Sequence, residues 1–117
     1  MSVRHVSVGR QSIAVHDNGG EGIPLFLMTG FIGTASFWDP FVNALPSGCR
    51  VIRYDQRGCG ASGAYDEPLE MEQLANDALA VISQLNLPKV HVIGHSMGAC
   101  AAWIMAAKNP AVLRSSY

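Results

Sequence analysis

The chain has 117 residues, a formal net charge of −1 and a hydrophobic fraction of 49%, which predicts a single domain with a packed core. A chain so close to neutral has no electrostatic reason to bind nucleic acid or an anionic membrane. Its cysteines, Cys49, Cys59 and Cys100, form no C-x-x-C pair, so we expect no disulfide framework or metal site and a reducing, cytoplasmic location. The scattered histidines show no ligand spacing, so no metal or organic cofactor is expected.

The first third of the chain predicts three strands. Residues 3–8 and 13–16 flank a short turn and are expected to form an antiparallel hairpin. Residues 24–28, Pro-Leu-Phe-Leu-Met, are apolar without alternation, which is typical of a central parallel strand covered on both faces. The glycine-containing loop at 29–34 follows. Such a loop can turn backbone N–H groups towards a ligand, or it can be a simple connector.

Two helices and one strand are predicted next. Residues 37–45 place apolar side chains at helical spacing, and residues 49–54 form another strand. Positions 71, 74, 75, 78, 81, 82 and 85 are all apolar, which predicts an amphipathic helix over 71–85. We interpret Glu70, Glu72 and Asp77 as solvated or capping charges of this helix.

Residues 58–63 match the G-x-G-x-x-G dinucleotide-binding fingerprint, but their context argues against it. The fingerprint requires a helix that opens on the last glycine, and Pro68 opposes a helix there. It also requires a strand ending in an acidic residue about 20 positions on, whereas Asp77 falls inside the predicted helix. We therefore do not predict a dinucleotide site.

The most informative stretch is G-H-S-M-G at residues 94–98. An apolar strand over 89–93 precedes it, and residues 97–107, apolar almost all round, predict a helix buried in the core. That run is too short to cross a bilayer, which takes about 20 residues. In this context G-x-S-x-G predicts a tight strand–turn–helix with Ser96 exposed at its tip. Side chains at Gly94 or Gly98 are expected to clash where strand and helix approach.

Three motifs in this order make the chain resemble the N-terminal half of an α/β-hydrolase. They are the loop at 29–33, the D-x-R-G-x-G-x-S sequence at 55–62, and the G-x-S-x-G turn at 94–98. The resemblance covers nearly the whole chain, so residues 1–117 are expected to be the N-terminal part of one such domain. It implies a mostly parallel sheet with flanking helices, with about five strands and three helices and the later strands absent. Within this family the chain resembles the small soluble esterases and enol-lactonases.

The resemblance also implies roles for individual residues. Ser96 is expected to be the nucleophile, and the backbone N–H groups of Met97 and Phe31 the oxyanion hole. Gly30, Asp55 and Arg57 are expected to support the loops around the site. His95 is expected to pack rather than to act as the base. The expected substrate is a small carboxylic ester or lactone, hydrolysed through an acyl-enzyme, with C–C bond or thioester hydrolysis as an alternative.

Two departures from the family pattern bear on activity. Thr29-Gly30 stands where the family usually has His-Gly, although the expected oxyanion donor is a backbone group. In this fold the triad runs Ser, then Asp or Glu, then His, and no Asp, Glu or His follows Ser96 in this chain. We therefore expect the 117 residues alone to lack efficient triad catalysis.

Three hypotheses remain open on the sequence. The chain is the front half of a serine hydrolase, or a non-catalytic fragment that binds or pairs with another chain, or a complete small hydrolase that uses His16, His91 or a partner's histidine as base. Without later strands, residues 89–93 would be an exposed apolar edge, which leaves self-association through that strand open.

Overall fold

The computed structural model describes residues 2–30, 33–62 and 70–117. In chain order the elements are β1 (Ser2–Val8), β2 (Gln11–Asp17), β3 (Glu21–Met28), a 3₁₀ turn (Ala35–Trp38), α1 (Asp39–Ala44), β4 (Cys49–Tyr54), α2 (Met71–Gln84), β5 (Val90–Gly94), α3 (Met97–Lys108), a second 3₁₀ turn (Pro110–Val112) and β6 (Leu113–Ser116).

One sheet contains all six strands of the described residues, in the order β1-β2-β4-β3-β5-β6. β1 and β2 form the predicted antiparallel hairpin, and β2 joins β4 in antiparallel pairing. β4, β3, β5 and β6 run parallel to one another. The unbroken apolar strand β3 lies between β4 and β5, as its sequence predicts, and the expected α/β architecture is confirmed.

Strand β6 was not expected from the sequence, which indicated only a trailing segment. It pairs in parallel with β5, so β5 is an interior strand between β3 and β6. The expectation that residues 89–93 form an exposed edge is therefore wrong. The edge on this side of the sheet is β6.

The sheet is packed on both faces. On one face α2 and α3 cover side chains such as Phe26, Ile52 and Val92. On the other, Leu27 and Val51 pack with Trp38 of the first 3₁₀ turn. The single helix predicted over 37–45 is therefore divided into this turn and the short α1.

Helix α3 is buried along only part of its surface. Its sheet-facing side is enclosed, but Trp103 is 80% exposed and Cys100 is exposed as well. The helix is therefore packed into the core on its sheet-facing side and open to solvent on this flank. No helix in the described part of the chain combines the length and apolar character that a membrane crossing needs.

Candidate active site

Ser96 occupies a strained turn between β5 and α3. Its backbone has φ +55° and ψ −121°, a conformation that a residue with a Cβ rarely adopts. Such strain costs about 1–3 kcal/mol and persists only where the surrounding structure enforces it. The side chain is exposed at the carboxyl end of the parallel strands.

Glycines allow the backbone to pass closely around this turn. A Cβ on Gly94 would lie 2.7 Å from the Cα of Ala99, and one on Gly98 would overlap the backbone oxygens of Met28 and Thr29. The expected clashes at both glycines are confirmed, although Gly98 faces the end of β3 rather than its own preceding strand. These contacts hold the start of α3 against two strands.

The amino end of α3 presents an N–H group beside the Ser96 side chain. The N–H groups of Gly98 and Ala99 donate to the carbonyl oxygens of His95 and Ser96, each at 2.9 Å. For the N–H of Met97, the first residue of the helix, no acceptor is found among residues 2–30, 33–62 and 70–117. Unpaired N–H groups at a helix N-terminus attract negative charge.

Gly30 brings the loop after β3 to the same place. A Cβ on Gly30 would be 3.1 Å from the Cβ of Ser96 and 3.2 Å from the carbonyl oxygen of His95. The loop therefore lies directly against the turn. Phe31, the second expected oxyanion donor, lies outside the described residues.

Asp55 joins three parts of the structure. Its carboxylate accepts hydrogen bonds from the N–H of Ala35 at 2.7 Å and of Ala61 at 2.8 Å. The hydroxyl of Ser62 donates to the Asp55 carbonyl at 2.5 Å and accepts from the N–H of Ala14 at 2.9 Å. Asp55 therefore fixes the loop that follows β4 against the loop that follows β3.

Gln56 fastens the loop after β3 at two further points, a contribution that sequence reasoning missed. Its side-chain amide donates to the carbonyl oxygen of Thr29 at 2.7 Å, and its backbone N–H donates to that of Gly33 at 3.0 Å. These two acceptors flank Phe31 in sequence. The one available signal was the position of Gln56 inside the D-x-R-G segment.

Arg57 and Asp77 form a buried ion pair that ties the loop after β4 to α2. Arg57 donates two hydrogen bonds to the Asp77 carboxylate, at 2.6 and 2.7 Å, and Gln73 donates a third at 3.2 Å. Asp77 is 1% exposed, so its interpretation as a solvated or capping charge is wrong. Burial, together with the nearby Asp77 carboxylate, raises the pKa of Tyr54.

All four histidines have neighbours other than Ser96. His16 lies 3.9 Å from the Asp55 carboxylate, and ring nitrogens of His5 and His91 lie 3.1 and 2.6 Å from the hydroxyls of Ser12 and Ser115 respectively. The His95 ring packs on Phe37. Within the described ranges, no hydrogen bond joins a histidine to Ser96, and no three His, Cys, Asp or Glu side chains cluster to hold a metal.

Comparison with known proteins agrees with this geometry. Residues 23–115 match the family model described as the alpha/beta hydrolase fold. The chain therefore belongs to the α/β-hydrolase family.

Individual relatives are hydrolases of several kinds. The chain is 33% identical over 95 residues to a putative carbamate hydrolase, RutD, of Agrobacterium fabrum (strain C58), covering 80% of this chain and 36% of the relative. It is 36% identical over 96 residues to 3-oxoadipate enol-lactonase 1 of Acinetobacter baylyi, again covering 80% and 36%. A solved hydrolase of Pseudomonas aeruginosa PA01 superposes with a TM-score of 0.89 at 28% identity, covering 97% of this chain and 44% of that one.

The chain thus spans about a third of the length of these curated relatives. The superposition covers 97% of this chain, so nearly all of its elements belong to the shared fold.

Proposed function

We propose that this chain carries the nucleophile and the oxyanion donors of a serine hydrolase that cleaves carboxylic esters or lactones. The observation that carries the proposal is the exposed Ser96 at φ +55°, held between β5 and α3. A serine hydroxyl in this position stands clear of its own backbone and beside the N–H of Met97, as covalent acyl transfer requires.

In the proposed reaction the Ser96 oxygen attacks the substrate carbonyl carbon while a base removes the hydroxyl proton. The carbonyl oxygen becomes an oxyanion, which the N–H groups of Met97 and Phe31 stabilise. The intermediate collapses to an acyl-enzyme and expels the alcohol, or opens the lactone ring; water then releases the acid. Removal of one oxyanion donor typically lowers kcat about 10²–10³-fold.

The proposal assigns no general base to the described residues, because each histidine has a neighbour other than Ser96. The base and its carboxylate partner would come from the part of the hydrolase domain that these 117 residues do not include. Residues 1–117 would then be the N-terminal part of that domain. The substrate class is supported by the enol-lactonase relative, and the putative carbamate hydrolase makes carbamates a second acyl class to assay.

A second candidate function is pairing with another polypeptide. It is favoured by the exposed apolar flank of α3, where Trp103, Cys100, Ala99 and Ile104 line a cavity of about 500 Å³. The adjacent edge strand β6 has no partner on its outer side among the described residues. Sedimentation of the chain tests this candidate, because a strict monomer at all concentrations would exclude self-pairing.

The test of the main proposal is labelling with a fluorophosphonate in the presence of imidazole. The reagent reacts with activated serines, and imidazole supplies the base that the proposal places outside these 117 residues. Mass spectrometry of the labelled chain should find the adduct on Ser96, and Ser96→Ala should abolish it. Ser83→Ala is the matched control, since Ser83 is exposed but lies at the end of α2. Adducts distributed over exposed serines, or unchanged in Ser96→Ala, would overturn the proposal.

A further inference from the structure

An exposed aromatic surface lies beside the turn that carries Ser96. The ring centroids of Phe37 and His95 are 4.9 Å apart, with 34° between the ring planes. Phe37 is 51% exposed and His95, the residue before Ser96, is also exposed. We call these two side chains the aromatic shelf.

The shelf is supported from below by buried structure. Trp38 packs edge-on against Phe37 at 5.4 Å and against Phe41 at 5.7 Å, and Trp38 itself is buried with Leu27. The N–H of Phe37 donates to the carbonyl of Thr34 at 3.2 Å. A surface that is already ordered binds a ligand without the cost of fixing its side chains.

The backbone of the shelf is also fixed relative to Ser96. The N–H of His95 donates to the carbonyl oxygen of Met28 at 3.0 Å, which ties the turn to β3. A Cβ on Gly30 would lie 3.1 Å from the Cβ of Ser96 and 3.5 Å from Nδ1 of His95, so the loop after β3 lies against both residues. The backbone that carries the His95 ring next to Ser96 in sequence is therefore held in place by the fold.

We propose that the aromatic shelf binds a flat, unsaturated acyl group, so that Phe37 gives the site a preference for aryl-bearing over alkyl-bearing esters. This inference rests on the proposed function, because it specifies the substrate of the same site. Aromatic rings attract each other in offset and edge-to-face contacts beyond the effect of buried area alone. An alkyl chain of similar size gains only the area term.

Unreactive acyl analogues separate this preference from chemistry. Benzamide and hexanamide are titrated into the chain, and NMR follows the ring protons of His95. Benzamide should bind about tenfold more weakly to Phe37→Ala than to the original chain, while hexanamide binding changes much less. Phe37→Tyr, which keeps the ring, should retain the preference. Phe41→Ala is the matched control, since Phe41 packs on the same Trp38 at another point.

Fluorophosphonate labelling of the same samples, with imidazole added as the base, separates the shelf from the proposed function. Benzamide preference that depends on Phe37 supports the shelf, whether or not Ser96 is labelled; absence of labelling in the presence of imidazole then counts against the proposed function alone. Labelling of Ser96 with equal affinities for the two amides, unchanged in Phe37→Ala, overturns the shelf and leaves the hydrolase proposal standing. If Phe37→Ala does not fold, Phe37→Leu takes its place, because leucine keeps most of the apolar bulk and removes the ring.

Discussion

The buried pair between Arg57 and Asp77 offers the sharpest test of the energetics. The carboxylate is 1% exposed and accepts three hydrogen bonds, two from Arg57 and one from Gln73. Asp77→Asn keeps the shape but removes the carboxylate charge that accepts two hydrogen bonds from the buried guanidinium. Breaking a buried ion pair on one side costs about 3–5 kcal/mol, a large share of the about 5–15 kcal/mol that holds a typical domain folded.

Urea unfolding at neutral pH, followed by circular dichroism, measures this loss. Asp77→Asn and Arg57→Met should each lower the free energy of unfolding by about 3–5 kcal/mol. The double variant Arg57→Met/Asp77→Asn should lose less than the sum of the two single losses, because the interaction between the two side chains is then lost only once. Glu72→Gln is the control, since Glu72 lies on the same helix but pairs with Lys108 at the surface. An Asp77→Asn loss below about 1 kcal/mol, the size typical of a surface pair, would contradict a stabilising buried pair.

Three further changes test other contacts. Gly98→Ala should destabilise the fold by about 1–3 kcal/mol in urea, because the new Cβ meets two backbone carbonyls. This loss should appear even though alanine favours helices over glycine by about 1 kcal/mol. An unchanged urea midpoint would contradict the prediction. Gln56→Leu should speed hydrogen exchange in the loop after β3, because the Thr29 carbonyl loses its donor; unaltered exchange would refute the bracing role. Asp17→Asn should cost about 1 kcal/mol at pH 7. The hydrogen bond from Arg50 lowers the Asp17 pKa, so this stability is present above about pH 3.9 and disappears as the pH falls through the lower folded value; a loss that is independent of pH would contradict it.

Much of the fold follows from local sequence pattern. The apolar run of β3 reflects a strand buried on both faces, and the helical spacing of α2 reflects a helix buried on one. Both elements lie within a few residues of their predicted bounds. The close contacts at the glycines of the turn could also be predicted from the sequence, because a close approach of backbones leaves no room for a Cβ.

Long-range partners could not be read in the same way. Strand β6, Leu-Arg-Ser-Ser, has little strand propensity, and it forms because β5 offers an unpaired row of backbone groups. Asp77 is separated from Arg57 by 20 positions, so its burial depends on packing that no helical pattern records. Gln56 acts through side-chain and backbone bonds to another loop, which is likewise a tertiary feature.

The exposed flank of α3 illustrates the opposite case, in which the sequence pattern is clear and the surroundings differ. Its residues are apolar almost all round, as in a helix enclosed by protein. In the described chain Trp103 remains 80% exposed. If the chain pairs with another polypeptide, this apolar flank is the surface that we expect to lie at the interface.

We propose that Ser96 is a nucleophile that needs an external base. The rate of fluorophosphonate labelling at Ser96, mapped by mass spectrometry as imidazole is added as a base in solution, tests this. We expect a slow rate in buffer, an increase with imidazole at Ser96 and no increase at the exposed Ser83. Equal rates at the two serines, or no adduct at Ser96 at any imidazole concentration, would contradict it.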